Sequence, residues 1–517
     1  MFFGRKKELA VLEKRYNSDK FEFGFVYGQR RIGKTSLLDE FEKSRRALMF
    51  FASDSDDVSI RRDFSNILFN YLGQPSMSAF DNWESFFLGL KNAFGNEKAM
   101  IVFDEYPNII MGHDGKRKKT DFDEKLQNAI DHLFKDTNLS IVIMGSNVSF
   151  MEKLINNKTG PLYKRHTFSL FLSKLEWDDA LKFVEGMPLD DKIKTLSMTD
   201  TYPYYLSHIN PHESFEDNLN NFFFNMDSLI ISDPTFTISS NMGITGFYVG
   251  IMRCLSQRIN TIKDISNALN SESGKVTIYL NELLNAGVIT KSTYFNSERN
   301  TYYEINDRMT SFFFRFVQPY IEQIKLGNGL RIREREENAI DNFVHHAYEK
   351  LCITYLHDLN NKGKLEQFYL SFSNFKADNT SLGRSVEIDI VSEEKKSLLI
   401  GECKYSNKKK GIEEYEKMKE DASIKPFDQY INKHFYLFSH SGFTDKLLSC
   451  KDKNLHLISS KDMVKQCDWF SYIVKNVGGA SGITGKFSVK TSTSIIETQA
   501  DLESSLAPKF NIAPSAA

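Results

Sequence analysis

The octapeptide Gly28-Gln29-Arg30-Arg31-Ile32-Gly33-Lys34-Thr35 has the spacing G-x-x-x-x-G-K-[ST], and the chemistry of that spacing is phosphate binding. Gly28 and Gly33 let the backbone curl so that its N–H groups face an anion, and the helix that starts there adds a favourable dipole. Lys34 is placed to reach the β- and γ-phosphates of ATP and Thr35 to ligate Mg2+, with Arg31 and Ser36 in the same turn. A second apolar run, Ala99–Phe103, ends in Asp104-Glu105. Asp104 suits support of the magnesium ion, usually through water, and Glu105 suits orientation and activation of an attacking water. A third apolar run, Leu139–Met144, ends in Gly145-Ser146-Asn147. A polar residue at that point would sit beside the γ-phosphate, and Asn147 is the candidate. A plain helix cap ahead of Phe150–Ile155 is the alternative reading.

A second group of chemically capable residues lies far downstream. Val386-Glu387-Ile388-Asp389-Ile390-Val391 alternates apolar and acidic residues, and Ser397–Lys404 ends in Gly401-Glu402-Cys403-Lys404. Strand periodicity puts Glu387 with Asp389, and Glu402 with Lys404, on shared faces. An upstream helical stretch, Ala339–Tyr355, carries Glu349. Phosphodiester hydrolysis needs a hard cation to stabilise charge and acidify water. Asp389 and Glu402 offer oxygen ligands for Mg2+ or Mn2+, and Glu349 could join them, directly or through water. Lys404 could stabilise the hydroxide or the pentavalent phosphate, and the run Lys408-Lys409-Lys410 could steer a nucleic-acid backbone toward the site. The competing reading is a half-exposed sheet whose acids and lysines merely pair.

These residues need elements to hold them. Phe21–Tyr27 reads as a buried strand and Ser36–Glu42 as a helix, which is the strand–turn–helix context a P-loop requires. Three apolar strands ending at related chemistry predict an α/β domain with its ligand at the strands' carboxyl ends. Between the two groups, Thr261–Leu269 reads as a short amphipathic helix. A turn follows, and Val276, Tyr279, Leu280, Leu283 and Leu284 then recur at helical spacing. The strand pair starting at Val288 and Tyr302, with its tip at Asn296–Asn300, completes the pattern of a winged helix. Its second helix presents Lys275, Thr277 and Asn281 but also Glu282, a face poor in charge for phosphate contact.

At 517 residues with a net charge of −2, the chain exceeds one core and carries no global attraction for nucleic acid. Its five cysteines are dispersed without a C-x-x-C pair, which argues against a zinc ribbon or disulfide framework. No signal-peptide core or bilayer-spanning run is legible, so a cytoplasmic protein without a membrane partner is expected. The basic stretch within Gly112–Thr120 reads as a solvated loop. The tail from Gly478, rich in small residues, reads as a peripheral extension.

Phe3-Gly4-Arg5 with Glu8-Leu9 resembles the entry motif of a group of archaeal and bacterial AAA+-like ATPases of the STAND class. Pro161-Leu162-Tyr163-Lys164-Arg165 resembles a further motif of that group, with Lys164 in place of its glycine. Thr201-Tyr202-Pro203-Tyr204-Tyr205-Leu206 resembles the lid motif without its paired glycines. The resemblance implies that Arg5 packs near the base of the nucleotide site, that Pro203 lies over the nucleotide and that Arg165 senses charge, in its own chain or in a neighbouring subunit. Glu349, then Asp389, then Glu402-x-Lys404 resembles the PD-(D/E)XK nuclease core, as in the C-terminal domain that accompanies this ATPase family. The expected architecture is multidomain α/β: a P-loop core over 1–170, a helical lid over 171–238, a winged helix over 239–328, a restriction-endonuclease-like domain over 329–475 and a tail over 476–517. The expected function is an ATP-binding and ATP-hydrolysing switch that controls a metal-dependent nuclease acting on DNA or RNA, in defence or mobile-element control. A scaffold with an inactive nuclease fold, bound to a protein partner or a second copy, and a DNA-binding regulator are the alternatives.

Overall fold

The computed structural model describes residues 2–75, 77–112, 117–228, 246–297, 300–378, 380–465, 489–490 and 495–496. Part of the basic loop at 113–116, the hairpin tip at 298–299 and nearly all of the tail lie outside these residues. The chain divides into a large unit, Met1–Val464, and a small one, Lys465–Ala517. In the small unit, Val489–Lys490 and Ile495–Ile496 pair as antiparallel strands.

The N-terminal sheet contains β1 (Glu22–Tyr27), β2 (Ala47–Phe51), β3 (Ala99–Asp104), β4 (Leu139–Gly145) and β5 (Phe168–Phe171). Their order is β2-β3-β4-β1-β5, and every pairing is parallel. All residues of β3 and β4 are buried. That is why their sequences are unbroken apolar runs: a parallel sheet is covered on both faces. One face packs the aromatic cluster of Phe50, Phe64, Trp83, Phe86 and Phe103, and the other packs Leu37, Leu38 and Phe41 of the P-loop helix. Each such side chain contributes about 1.5–3 kcal/mol on burial. The strand order places β4 between β1 and β3, so Ser146 emerges between the P-loop and Asp104-Glu105.

Four helices follow: Trp177–Leu181, Leu189–Thr199, Pro203–Ser207 and Phe215–Phe223. After residue 245 come the helices Gly246–Ser256, Ile262–Ala268 and Ser273–Asn285, then the antiparallel hairpin β6 (Ile289–Thr293) and β7 (Thr301–Ile305). Thr261 caps the second of these helices by accepting the Asp264 N–H.

The C-terminal sheet contains β8 (Ser373–Ala377), β9 (Val386–Glu394), β10 (Ser397–Lys404), β11 (Asn432–Ser439) and β12 (Leu455–Ser459). Its order is β12-β11-β10-β9-β8. The β8-β9-β10 pairings are antiparallel and the β10-β11-β12 pairings are parallel. The 25-residue helix Glu337–Asn361 packs on one face. This domain does not own a separate core there. Trp177, Leu181, Ile193 and Leu196, expected in an independent lid, share one hydrophobic cluster with Tyr348, Leu351 and Leu356 of the long helix and with Leu399, Cys403 and Phe438 of the sheet.

Candidate functional site

The candidate nucleotide site is a cavity of about 660 Å3 at the carboxyl ends of the N-terminal strands, lined by Arg5, Arg31, Gly33, Lys34, Thr35 and Ser36, and by Asp104, Glu105 and Pro203. Gly28 is required by close approach, because a Cβ there would fall 2.4 Å from the Leu172 carbonyl oxygen. Gly33 is required by its φ of +83° at the start of the helix Lys34–Glu42. The Lys34 ammonium donates to the carbonyls of Gly28 at 2.9 Å and Gln29 at 3.0 Å. Burial pushes its pKa down to about 8, against the pull of Glu105 and Asp104. A phosphate arriving in the turn would replace those carbonyls with full negative charge and restore the cation.

Asp104 ends β3, and burial, reinforced by the charge of Glu105, pushes its pKa up to about 6. One Asp104 oxygen accepts the Glu105 N–H at 2.7 Å. Glu105 itself adopts a φ of +49°, unusual for a residue with a side chain and a recurrent sign of a functional position. Its carboxylate accepts the Ser146 hydroxyl at 2.8 Å. Ser146 is thus the polar residue that reaches the acidic pair. Asn147, expected to bind cofactor, instead accepts the Phe150 N–H at 3.0 Å and caps the helix Val148–Asn156. The first helical turn has donors to satisfy, and Asn147 is the nearest acceptor.

The remaining expected contacts divide. Arg5 is buried and donates to the carbonyls of Ile32 at 2.9 Å and Ser173 at 2.6 Å, bracing the turn from below rather than presenting a free charge. Pro203 approaches Gly33, and its helix is tied to the P-loop by Tyr204 N–H to Arg31 O at 3.3 Å and Tyr202 OH to Gln29 Oε1 at 2.8 Å. Arg165 does not line the cavity. It forks onto Asp131 at 2.7–3.1 Å, so within its own chain it is an ion-paired residue rather than a charge sensor.

In the C-terminal domain the sheet departs from strict alternation. Ser373 pairs with Val391 and Phe375 with Ile388, so β9 holds an extra residue against β8. Ile388 and Val391 consequently enter one hydrophobic cluster and Ile390 the other, and the period-two placement of Glu387 with Asp389 does not extend along the strand. At this bulge the Asp389 side chain accepts the Cys403 N–H at 2.8 Å, taking a ladder position where β9 and β10 part. Burial raises the Asp389 pKa, and the charges of Glu402 and then Glu349 raise it further. Glu402 is buried, and Lys404 bonds to its carboxylate and lies 4.0 Å from Glu414. Glu349 pairs with His346 at 3.0 Å and Arg258 at 3.6 Å. The carboxylates of Glu349, Asp389 and Glu402 do not all lie within 4.8 Å of one another. The structure therefore pairs Glu402 with Lys404 and leaves Asp389 within electrostatic reach of Glu402, Glu349 and Lys404. Buried like charges with an adjacent lysine are a donor set that a hard divalent cation would relieve.

Arg31 of the phosphate turn is linked to the long helix through residues that the sequence did not mark. Arg31 donates to Asp307 at 2.5 Å, to Thr310 at 3.1 Å and to the Tyr205 hydroxyl. The next residue, Arg308, contacts Asp200 at 3.2 Å and Thr354 of the long helix at 3.3 Å. Burial opposes the charge of Asp200, but Arg308 and Lys174 outweigh it and hold the carboxyl well below the usual range. A parallel link runs from Asp190, in the helix Leu189–Thr199, to the Tyr405 hydroxyl at 2.7 Å and His440 at 3.2 Å. Tyr405 directly follows Lys404. No local spacing announces these partners, which lie on separate elements.

Comparison with known proteins finds family matches to two parts of the chain. Residues 2–209 match the model of an ATPase domain family predominantly from Archaea. Residues 313–435 match a family of archaeal and bacterial proteins of unknown function. An uncharacterized protein of Methanocaldococcus jannaschii is 26% identical over 410 residues, spanning 77% of this chain and 87% of its own length. An uncharacterized ATP-binding protein of the same organism is 43% identical over 53 residues, 10% of this chain and 90% of its own. Among solved structures, the Walker-type ATPase of Pyrococcus abyssi is 18% identical and covers 60% of this chain and 96% of its own, with a TM-score of 0.46. Residues 2–209 are thus similar to an ATPase domain predominantly from Archaea, and residues 313–435 are similar to a region of proteins of unknown function. Among the described residues no helix is long and apolar enough to cross a membrane.

Proposed function

We propose that this chain binds and hydrolyses ATP and that its nucleotide state controls a metal-dependent phosphodiesterase centre at Asp389, Glu402 and Lys404. The observation that carries this reading is the relay from Arg31 through Asp307 and Arg308 to Asp200 and Thr354, set on a hydrophobic cluster shared by lid, long helix and C-terminal sheet. Lys34 and Thr35 would hold the phosphates and the magnesium ion that accompanies them. Glu105, oriented by Ser146, would accept the proton of the attacking water. Arg31 sits in the phosphate turn, so occupancy of that turn draws on the same guanidinium that holds Asp307. Loosening Asp307 frees Arg308, and through it the helix bearing Thr354 and Glu349. Coupling of this kind requires a contiguous element with two arrangements, and in this proposal the shared core supplies it.

At the second centre, a hard cation held by Asp389 and Glu402 would stabilise charge on a nucleic-acid phosphate. Lys404 stands beside Glu402 to meet the developing negative charge. Lys408, Lys409 and Lys410 lie four to six residues beyond it and favour a polyanionic substrate. The helices and hairpin over 246–305 fit a winged helix that connects the two ends rather than a sequence reader, because the Ser273–Asn285 helix carries little positive charge.

Hydrogen exchange on the full chain with a non-hydrolysable ATP analogue tests the relay. Wild type should change protection at 21–42, at 337–361 and at 386–404. Lys34→Ala should change none of them, and Asp307→Asn should respond only at 21–42. A wild-type response confined to 21–60 would contradict the proposal.

A further inference from the structure

Glu366, His434 and His456 come from three places: the segment after the long helix, β11 and β12. β11 and β12 run parallel with Tyr436 opposite His456. His434 and Tyr436 are two apart on β11 and share a face, and the His456 ring stacks on Tyr436 with centroids 4.3 Å apart. One ligand atom from each of Glu366, His434 and His456 lies within 4.8 Å of the other two. His456 Nε2 is 2.9 Å from one Glu366 oxygen, and His434 Nδ1 is 4.0 Å from the other.

His434 Nδ1 makes no hydrogen bond although it is shielded from solvent, and the equally shielded His456 Nε2 meets the Glu366 carboxylate. Proteins seldom keep a shielded imidazole nitrogen such as His434 Nδ1 without a partner unless it has a use. An ordinary ion pair does not account for two imidazoles converging on one carboxylate. The Tyr436 hydroxyl donates to the Glu366 oxygens at 2.8 and 3.0 Å. This outer contact orients the carboxylate as metal sites require.

We propose that Glu366, His434 and His456 bind a zinc-type divalent ion at a site separate from the Asp389 and Glu402 centre. Two imidazoles and a carboxylate are the donors of zinc and its borderline neighbours, whereas an all-oxygen set suits magnesium. Three protein ligands leave a fourth position for water. β12 is the edge of its sheet, so the ion would fasten that edge to the segment following the long helix.

The test uses the full chain stripped with a chelator, then titrated with Zn2+ against a chromogenic competitor and with Co2+ by visible absorption. Wild type should bind one more tight equivalent of Zn2+ than His456→Ala or Glu366→Gln, each of which should weaken that equivalent at least about tenfold. Asp389→Asn should retain it. Zn2+ should raise the melting temperature of wild type and not of Glu366→Gln, each compared with its own metal-free form. Equal zinc stoichiometry and affinity in wild type and Glu366→Gln would overturn the proposal. So would loss of the equivalent in Asp389→Asn, or a thiolate charge-transfer band with Co2+ that moves the site to a cysteine.

Discussion

The nucleotide cavity and the Asp389 centre handle charge in opposite ways. Around Lys34 the backbone does the work: two carbonyls hold the ammonium, a positive φ aims Gly33, and strand ends fix Asp104 and Glu105. Around Asp389 side chains restrain one another: Lys404 bonds to Glu402, Glu349 leans on His346 and Arg258, and Asp389 alone takes a backbone donor. A backbone-built site keeps its shape when its ligand leaves. A side-chain-built site depends on the balance of a few charges, so a change in packing elsewhere can alter it. The relay through Asp307 and Arg308 reaches Asp200 and Thr354 of the long helix, which also bears Glu349, and the proposal is that a nucleotide acts through this helix on the second kind of site.

If that contrast holds, Lys34→Ala should cause the largest single loss. Calorimetry should show ATP affinity falling by about a hundredfold or more, because no other cation reaches the turn with the same backbone support. Equal affinity in wild type and variant would remove the nucleotide site as described. Glu105→Gln should bind ATP within a few-fold of wild type and turn over about 10²–10⁴ times more slowly, since it loses only the proton acceptor. A variant that loses binding and turnover together would show that Glu105 shapes the cavity instead.

Asp200→Asn probes the relay between the sites. Its carboxyl is held below the usual range by Arg308 and Lys174 against the cost of burial. A carboxyl depressed in the folded state contributes stability above its unfolded pKa of about 3.9, and that stability is lost as pH falls through the lower folded value. The variant should therefore lose about 3 kcal/mol near neutral pH, with the difference from wild type shrinking below about pH 4. A penalty independent of pH would assign Asp200 to hydrogen bonding alone. The smallest effect is expected for Arg165→Ala, about 1 kcal/mol or less from a half-exposed pair with Asp131, with turnover unchanged. A tenfold loss of turnover at normal stability would return Arg165 to the nucleotide site of a neighbouring copy.

The contrast also explains what could be read from the sequence. The P-loop is contiguous, and β1, β3 and β4 announce themselves as apolar runs ending in polar residues, so the strands and Lys34, Thr35, Asp104 and Glu105 were legible. The Glu402 and Lys404 pair was legible for the same local reason. Arg31 and Asp307 are separated by 276 residues, and no local pattern joins them. The extra residue in β9 was hidden because an alternating sequence looks the same with or without a bulge. Asn147 carried two readings, and the unsatisfied N–H groups of a helix start decided for the cap. The core shared by the lid helices and the C-terminal domain was not legible, for a physical reason. Trp177, Leu181 and Leu196 have apolar faces that could close on themselves or on the long helix, and only the assembled core shows that they take the second course.

The central claim is that ATP governs the Asp389 centre, and one measurement reaches it directly: cleavage of single- and double-stranded DNA and RNA by the full chain with Mg2+ or Mn2+, with and without ATP. Cleavage should depend on the metal, vanish in Asp389→Asn, and change at least about tenfold on adding ATP to wild type. In Lys34→Ala it should persist without responding to ATP. Cleavage absent from wild type under every condition, unaffected by Asp389→Asn, or equal with and without ATP would contradict the account.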